Sequence, residues 1–261
     1  MAPNPRNIIS ADEAPVAEVV CPDGAAPLVL VCEHASRRIP AALDGLGLDE
    51  AARLSHAAWD IGAEPLARAL SAALDAPLVL SRISRLVYDC NRPPERADAV
   101  PAKSEVIEVS GNRDLSAEAR AARVREVYEP FRDLLSRTLD AKGRCAVVTV
   151  HSFTPVYFGA PREVELGLLH DEDAALAQAM LRAAPEHLEF ETRLNEPYAA
   201  ADGVTHTLRA HAIPRGLPNV MIEVRNDLLR DDAGIERVAQ GLEGMVRDAV
   251  PGLERTTKAR A

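Results

Sequence analysis

Aromatic residues are scarce in this chain: four Phe, four Tyr and one Trp in 261 residues. Its core must therefore be built mainly from Ala, Leu and Val. Positive charge is also in deficit, with 30 Lys and Arg against 40 Asp and Glu, a net charge of −10. That balance argues against a nucleic-acid surface, which needs a basic face for phosphates. It leaves an anionic small-molecule substrate open, because a local arginine cluster can outweigh the global charge. Four cysteines stand at positions 21, 32, 90 and 145, none in a C-x-x-C pair. Free thiols in a reducing cytoplasm are the expectation. No apolar run approaches the ~20 residues of a membrane span. The first twenty residues lack the basic start and apolar stretch of a secretory signal. Also missing are a G-x-S-x-G elbow, an H-E-x-x-H helix, a G-x-G-x-x-G turn and a P-loop. There are no repeats or heptads.

What is present alternates between strand-like and helix-like stretches. Residues 27–33, 77–81, 145–153 and 218–225 are short apolar runs closed by turn residues, the pattern of strands buried on both faces. Residues 163–169 and 188–192 read as further strands. Helices are predicted from Asp60, with Ile61, Pro65, Leu66, Ala69, Leu70 and Ala73 on one face, and over 48–56, 116–140, 171–184 and 235–249. Pro130 should kink or divide the third of these. Residues 95–115 are polar and aperiodic, a long loop of the kind that covers sites. The alternation predicts a three-layer α/β/α sandwich with a mostly parallel mixed central sheet. Its expected boundaries are an irregular arm at 1–24, one domain over 25–252 and a tail at 253–261.

In such sheets, ligands gather outside the carboxyl ends of the strands. His34 and His151 each stand at one of those ends. Neutral imidazole is a good zinc ligand, although either ring could simply bond a backbone carbonyl. A catalytic site of this type needs a third protein ligand and an open position. Asp60 is the first choice, with a helix N-cap as its alternative role, and Glu33 is the second. A carboxylate in an apolar strand is costly unless it has a task. Glu223 is therefore the candidate general base, with a salt bridge to Arg225 or another arginine as the plainer reading. Arg82, Arg85 and Arg92 crowd one segment and offer forks for a substrate carboxylate. Asn91, Asn195, Tyr198, His206, His211 and Arg225 are further polar candidates. His56, His170 and His187 read as ordinary.

These residues fall in motifs that resemble the N-formylglutamate amidohydrolase family. The motifs are Cys-Glu-His-Ala-Ser (32–36), Trp-Asp-Ile-Gly-Ala (59–63), Asp-Cys-Asn-Arg-Pro-Pro (89–94), His-Ser-Phe-Thr-Pro (151–155), Asn-Glu-Pro-Tyr (195–198) and Ile-Glu-Val-Arg-Asn-Asp (222–227). Together they span roughly residues 27–248. The resemblance implies a fold related to zinc-dependent exopeptidases and an amide hydrolase with a divalent ion, zinc first. It implies His151 as a ligand, Glu223 followed by Arg225 as the base motif, and Asn91-Arg92 as a grip on substrate carboxylate. The exopeptidase His-x-x-Glu motif is broken, since Arg37 stands three places after His34. The implied reaction converts N-formyl-L-glutamate to formate and L-glutamate, the last step of one histidine-degradation route. Alternatives are a deacylase or carboxypeptidase-like hydrolase of another N-acyl amino acid, or a non-catalytic binder of a dicarboxylate or amino acid.

Overall fold

The computed structural model describes residues 7–251. The first six residues of the expected arm and the expected tail at 253–261 lie outside the described residues. In chain order the elements are β1 (Ala17–Val20), β2 (Leu28–Cys32), α1 (Glu50–Leu54), α2 (Ala63–Leu74), β3 (Leu78–Ser81), β4 (Lys103–Ser104), β5 (Ile107–Glu108), α3 (Ala117–Arg123), α4 (Glu129–Lys142), β6 (Ala146–Phe153), β7 (Val156–Tyr157), β8 (Ala160–Pro161), β9 (Leu166–Leu169), α5 (Ala175–His187), β10 (Thr192–Leu194), β11 (Asn219–Arg225) and α6 (Asp232–Ala249). Several short 3-10 and π turns join them.

Seven strands form one sheet in the order β1-β3-β2-β6-β11-β9-β10. The central four, β3, β2, β6 and β11, run parallel. β1 and β9 pair antiparallel with their inner neighbours, and β10 runs parallel to β9. Every residue of β2, β3 and β6 is buried, which is why these strands read as unbroken apolar runs rather than alternating ones. Alternate side chains still serve different layers. Leu30, Val148 and Ile222 pack under α2, α5 and α6 with Leu66, Leu70, Met180 and Leu242. Val29, Val31, Val79 and Val147 pack on the other face with Phe131, Leu135 and Leu139 of α4. The result is the expected α/β sandwich on a mostly parallel mixed sheet.

Three local expectations change, and one, the division of the 116–140 helix, holds. The arm is not wholly irregular, because Ala17–Val20 pairs along the outer edge of β3 and covers an otherwise open apolar strand. The buried face of α2 runs through Ala63, Leu66, Ala67, Leu70 and Leu74, while Pro65 and Ala73 are exposed. The 116–140 helix divides at a π-turn over Val124–Tyr128, just ahead of Pro130, whose ring nitrogen has no N–H to donate. The 95–115 stretch contains the β4–β5 hairpin.

One glycine ties this fold to the site. Gly62 precedes α2 with φ +83, a conformation that suits only a residue without Cβ, and a Cβ there would lie 2.5 Å from the Leu229 Cβ. Gly62→Ala is expected to cost on the order of 1–3 kcal/mol, read as a shifted denaturant midpoint. Because Asp60 lies two residues earlier, activity should fall as well.

Candidate active site and metal cluster

β2, β6 and β11 all end at the same edge of the sheet. His34 follows β2, and His151 and Glu223 stand in register on β6 and β11. Val150 and Ile222 face the α2 layer, so His151 and Glu223 point to the opposite face. Asp60 comes from the loop before α2, where its backbone N–H bonds the His34 carbonyl at 3.0 Å. It does not cap the helix, whose N-terminal residue is Gly62 with no side-chain cap. Its carboxylate turns to the histidines instead. Asp60 Oδ2 lies 2.8 Å from His151 Nδ1 and 3.2 Å from His34 Nδ1, and the two Nδ1 atoms are 3.2 Å apart. All three residues are buried.

A triangle with those sides leaves a point about 2 Å from every donor, the usual zinc–nitrogen and zinc–oxygen distance. The donor chemistry therefore fits a divalent ion, and the cluster could hold one. The outer ring nitrogens support this reading. His34 Nε2 lies 2.7 Å from Asp89 Oδ1, and His151 Nε2 lies 3.1 Å from Glu33 Oε2, though off the line of a hydrogen bond. A carboxylate behind each ring fixes its orientation and leaves Nδ1 for a ligand role. Glu33 thus stands behind His151, outside the three-donor cluster. Arg85 spans Asp60 Oδ1 at 3.1 Å and Asp89 Oδ2 at 3.0 Å.

Electrostatics follow this wiring. Burial would raise the Asp60 and Asp89 carboxyls, but His34 and Arg85 outweigh it and hold both below the usual carboxylate range. At Glu223 the same two groups do not outweigh burial. Burial, opposed by His151 and helped by Asp60, lifts its carboxyl to about 7. Asp89→Ala is expected to weaken ion binding by ~10–100-fold, the usual cost of losing an outer partner of a metal-binding histidine. Competition with a chromogenic chelator measures it.

A cavity of about 200 Å³ opens over the cluster and Glu223. Of the expected substrate residues, Arg85, Asn91, Arg92 and Tyr198 line it. The Asn91 amide is committed to backbone, accepting from Thr207 N–H at 2.9 Å and donating to the Val204 carbonyl. Arg92 is braced by Asp98 at 3.2 Å. Burial pushes the Tyr198 phenol up to about 12. Three expected residues are not brought into the cavity. Asn195 Oδ1 accepts the His170 N–H at 2.9 Å, and Arg225 pairs with Glu165 and Asp227 beyond the sheet. His211 is buried in a π-turn, where desolvation pushes its imidazole down to about 4. Arg82 and His206 likewise lie elsewhere, on Glu64 and Tyr128.

Other residues at the site went unread in the sequence. Asp89 holds His34, and its only signal was its place in the Asp-Cys-Asn-Arg-Pro-Pro motif. His56, read as ordinary, lines the cavity and meets Glu105 at 2.7 Å. Nothing in the local pattern links two residues that far apart.

A model of the N-formylglutamate amidohydrolase family matches residues 26–230. The chain belongs to that family. Among solved structures, the gene product Atu2144 from Agrobacterium tumefaciens is 47% identical, covering 93% of this chain and 98% of its own, with a TM-score of 0.89. The N-formylglutamate amidohydrolase of Ralstonia eutropha JMP134 is 17% identical, covering 88% of this chain and 95% of its own. Its TM-score of 0.68 shows the shared fold. No curated protein matches the sequence. The family match runs from the strand before His34 through Glu223, so this member of the N-formylglutamate amidohydrolase family carries the whole cluster inside the matched region.

Proposed function

We propose that this chain hydrolyses the amide bond of a small N-acyl amino acid, with a divalent ion, zinc first, held by His34 Nδ1, His151 Nδ1 and Asp60 Oδ2. The family's description makes N-formyl-L-glutamate the first compound to assay, with formate and L-glutamate as products. The observation that carries the reading is the convergence of three buried donors and a carboxyl of near-neutral pKa on one small cavity.

An ion at that position would lower the pKa of water from ~16 to ~7 and polarise the amide carbonyl. The remaining chemistry belongs to the chain. Glu223 takes a proton from the attacking water and returns it to the leaving amine nitrogen, a task suited to a group that titrates near neutrality. Arg85, engaged with two carboxylates, holds Asp60 and Asp89 in place. Arg92 is the cavity's arginine for the substrate carboxylate. Tyr198, neutral at working pH, supplies a hydroxyl donor for a substrate oxygen. Among the described residues, no helix is long and apolar enough to cross a membrane, and all four cysteines are free. A cytoplasmic reaction is part of the proposal.

A chelator-free preparation assayed with N-formyl, N-acetyl and N-succinyl amino acids, with added zinc, cobalt or manganese, tests the reading. Hydrolysis should accompany a zinc-type ion at about one per chain. A metal-free protein that is fully active would overturn the ion's role, and no hydrolysis of any compound would overturn the activity.

A further inference from the structure

Four of the chain's nine aromatic residues stand together at the mouth of the cavity. The rings of Phe153, Tyr157 and Tyr198 surround the Arg162 guanidinium, with centroids 5.4, 4.4 and 4.9 Å away. Phe158 packs edge-on against Tyr157, their centroids 4.6 Å apart. Phe153, Tyr157 and Tyr198 also line the cavity. In a chain this poor in aromatics, their placement at one rim calls for a cause.

Exposed apolar side chains gather at the same rim. Five large hydrophobic residues are exposed among the described residues, and four of them are Val106, Val156, Tyr157 and Phe158, with Val106 at 70% and Phe158 at 64%. Val106 sits at the tip of the β4–β5 hairpin, and the others belong to the β7–β8 hairpin. The two tips are joined, because the Phe158 N–H donates to Glu105 Oε1 at 3.3 Å and Glu105 Oε2 meets His56. Glu105 and Phe158 both hold left-handed backbone, φ +52 and +47, where glycine is the easy choice. Non-glycine residues in that conformation are strained by ~1–3 kcal/mol each, and such strain clusters at functional sites.

An exposed apolar cluster marks a contact surface. This one is continuous with the cavity through Tyr157. The cavity, at about 200 Å³, is smaller than the ~300–1,000 Å³ usual for ligand pockets. A substrate with a bulky group must therefore lay that group over the rim. Glu105 also lines the cavity, and its carboxylate repels a second carboxylate placed there.

We propose that Val106, Val156, Tyr157 and Phe158 form a subsite for an apolar group of the substrate, with Glu105 turning away an anionic one. The proposal rests on the amide-hydrolysis reading above and narrows its substrate class to N-acyl amino acids that carry an aliphatic or aromatic group. That group is either the amino-acid side chain or the acyl chain. N-formylphenylalanine and N-phenylacetylglycine present the two cases.

The zinc-loaded enzyme is assayed with those two compounds, N-formylglutamate and N-formylglycine. One of the apolar compounds should exceed the other two in kcat/KM by ~10-fold or more. Phe158→Ser and Val106→Ser, both at exposed positions with circular dichroism as a folding control, should lower the apolar-to-glycine ratio by ~10-fold, mainly through KM. Glu105→Gln should raise the glutamate-to-glycine ratio. A wild-type preference for N-formylglutamate, or ratios unmoved by both serine variants, would overturn the subsite. If no compound is cleaved, the amide-hydrolysis reading falls. Calorimetric binding then decides the subsite separately: tighter binding of either apolar compound than of N-formylglutamate, lost in Phe158→Ser, supports it, and equal binding overturns it.

Discussion

Glu223→Gln is expected to keep the fold and the bound ion while losing turnover by ~10²–10⁴-fold, the span over which a positioned general base contributes. The substitution preserves shape and volume in a strand whose neighbours are buried. It removes the only feature the mechanism uses, a carboxylate that accepts a proton from water and gives it back. Glu223 suits that test because its setting is unlike that of Asp60 and Asp89. Asp60 and Asp89 are engaged by His34 and Arg85, whereas Glu223 Oε2 is buried with no hydrogen-bond partner. Leaving an acceptor unpaired in that way is costly in a fold and sensible in a site that awaits a reactant. The readout is kcat together with elemental analysis. Normal ion content with kcat down places Glu223 in the chemical step, and near-normal kcat removes it from that step.

The parts of this site that were legible in the sequence are those that depend on one strand at a time. His34, His151 and Glu223 each interrupt or end an apolar run, and an apolar run that stops at a polar residue carries its own signal. Asp60 was legible only as a choice between cap and ligand, because both roles suit an aspartate before a helix. The three-dimensional position of Gly62 removes the cap reading by taking the cap position itself. Asp89, His56 and Glu105 were not legible as site residues. Their roles exist only where separate loops meet, and local periodicity says nothing about such meetings. Asn91, which lines the cavity, and Asn195, which does not, show the converse. Asparagine in a turn-rich segment is as well suited to pinning backbone as to binding ligand, and both pin backbone. Arg225 stands two residues after Glu223 along the same strand, but β11 ends there and the guanidinium turns to Glu165 and Asp227. In the fold, β1 was missed because a four-residue strand with three half-buried positions has too little pattern to read.

The site is better described by its charges than by its ligands alone. Behind each imidazole stands a carboxylate, and Arg85 joins Asp89, one of those, to Asp60. Buried ionic groups in such a chain hold geometry only while each keeps its partner, and removing one is more damaging than never having had the pair.

Asp60→Asn follows from that wiring as the second large effect. The amide keeps the side chain's size and can still approach His151, but it carries no charge. The cluster then loses its only anionic donor to a cation. Ion affinity should fall by more than the ~10–100-fold typical of an outer partner, and kcat/KM should fall with it at any ion concentration that does not saturate the variant. The same change strips Arg85 of one of its two carboxylates, so Asp89 and, through it, His34 should lose definition. Measuring ion affinity by chelator competition separates these effects from damage to Glu223, since added zinc should restore part of the turnover in Asp60→Asn and none in Glu223→Gln. A variant that binds zinc as tightly as the parent would remove Asp60 from the ligand set. Glu33, the other candidate carboxylate, should behave differently. It stands on the Nε2 side of His151, so Glu33→Gln is expected to weaken ion binding only within the outer-partner range.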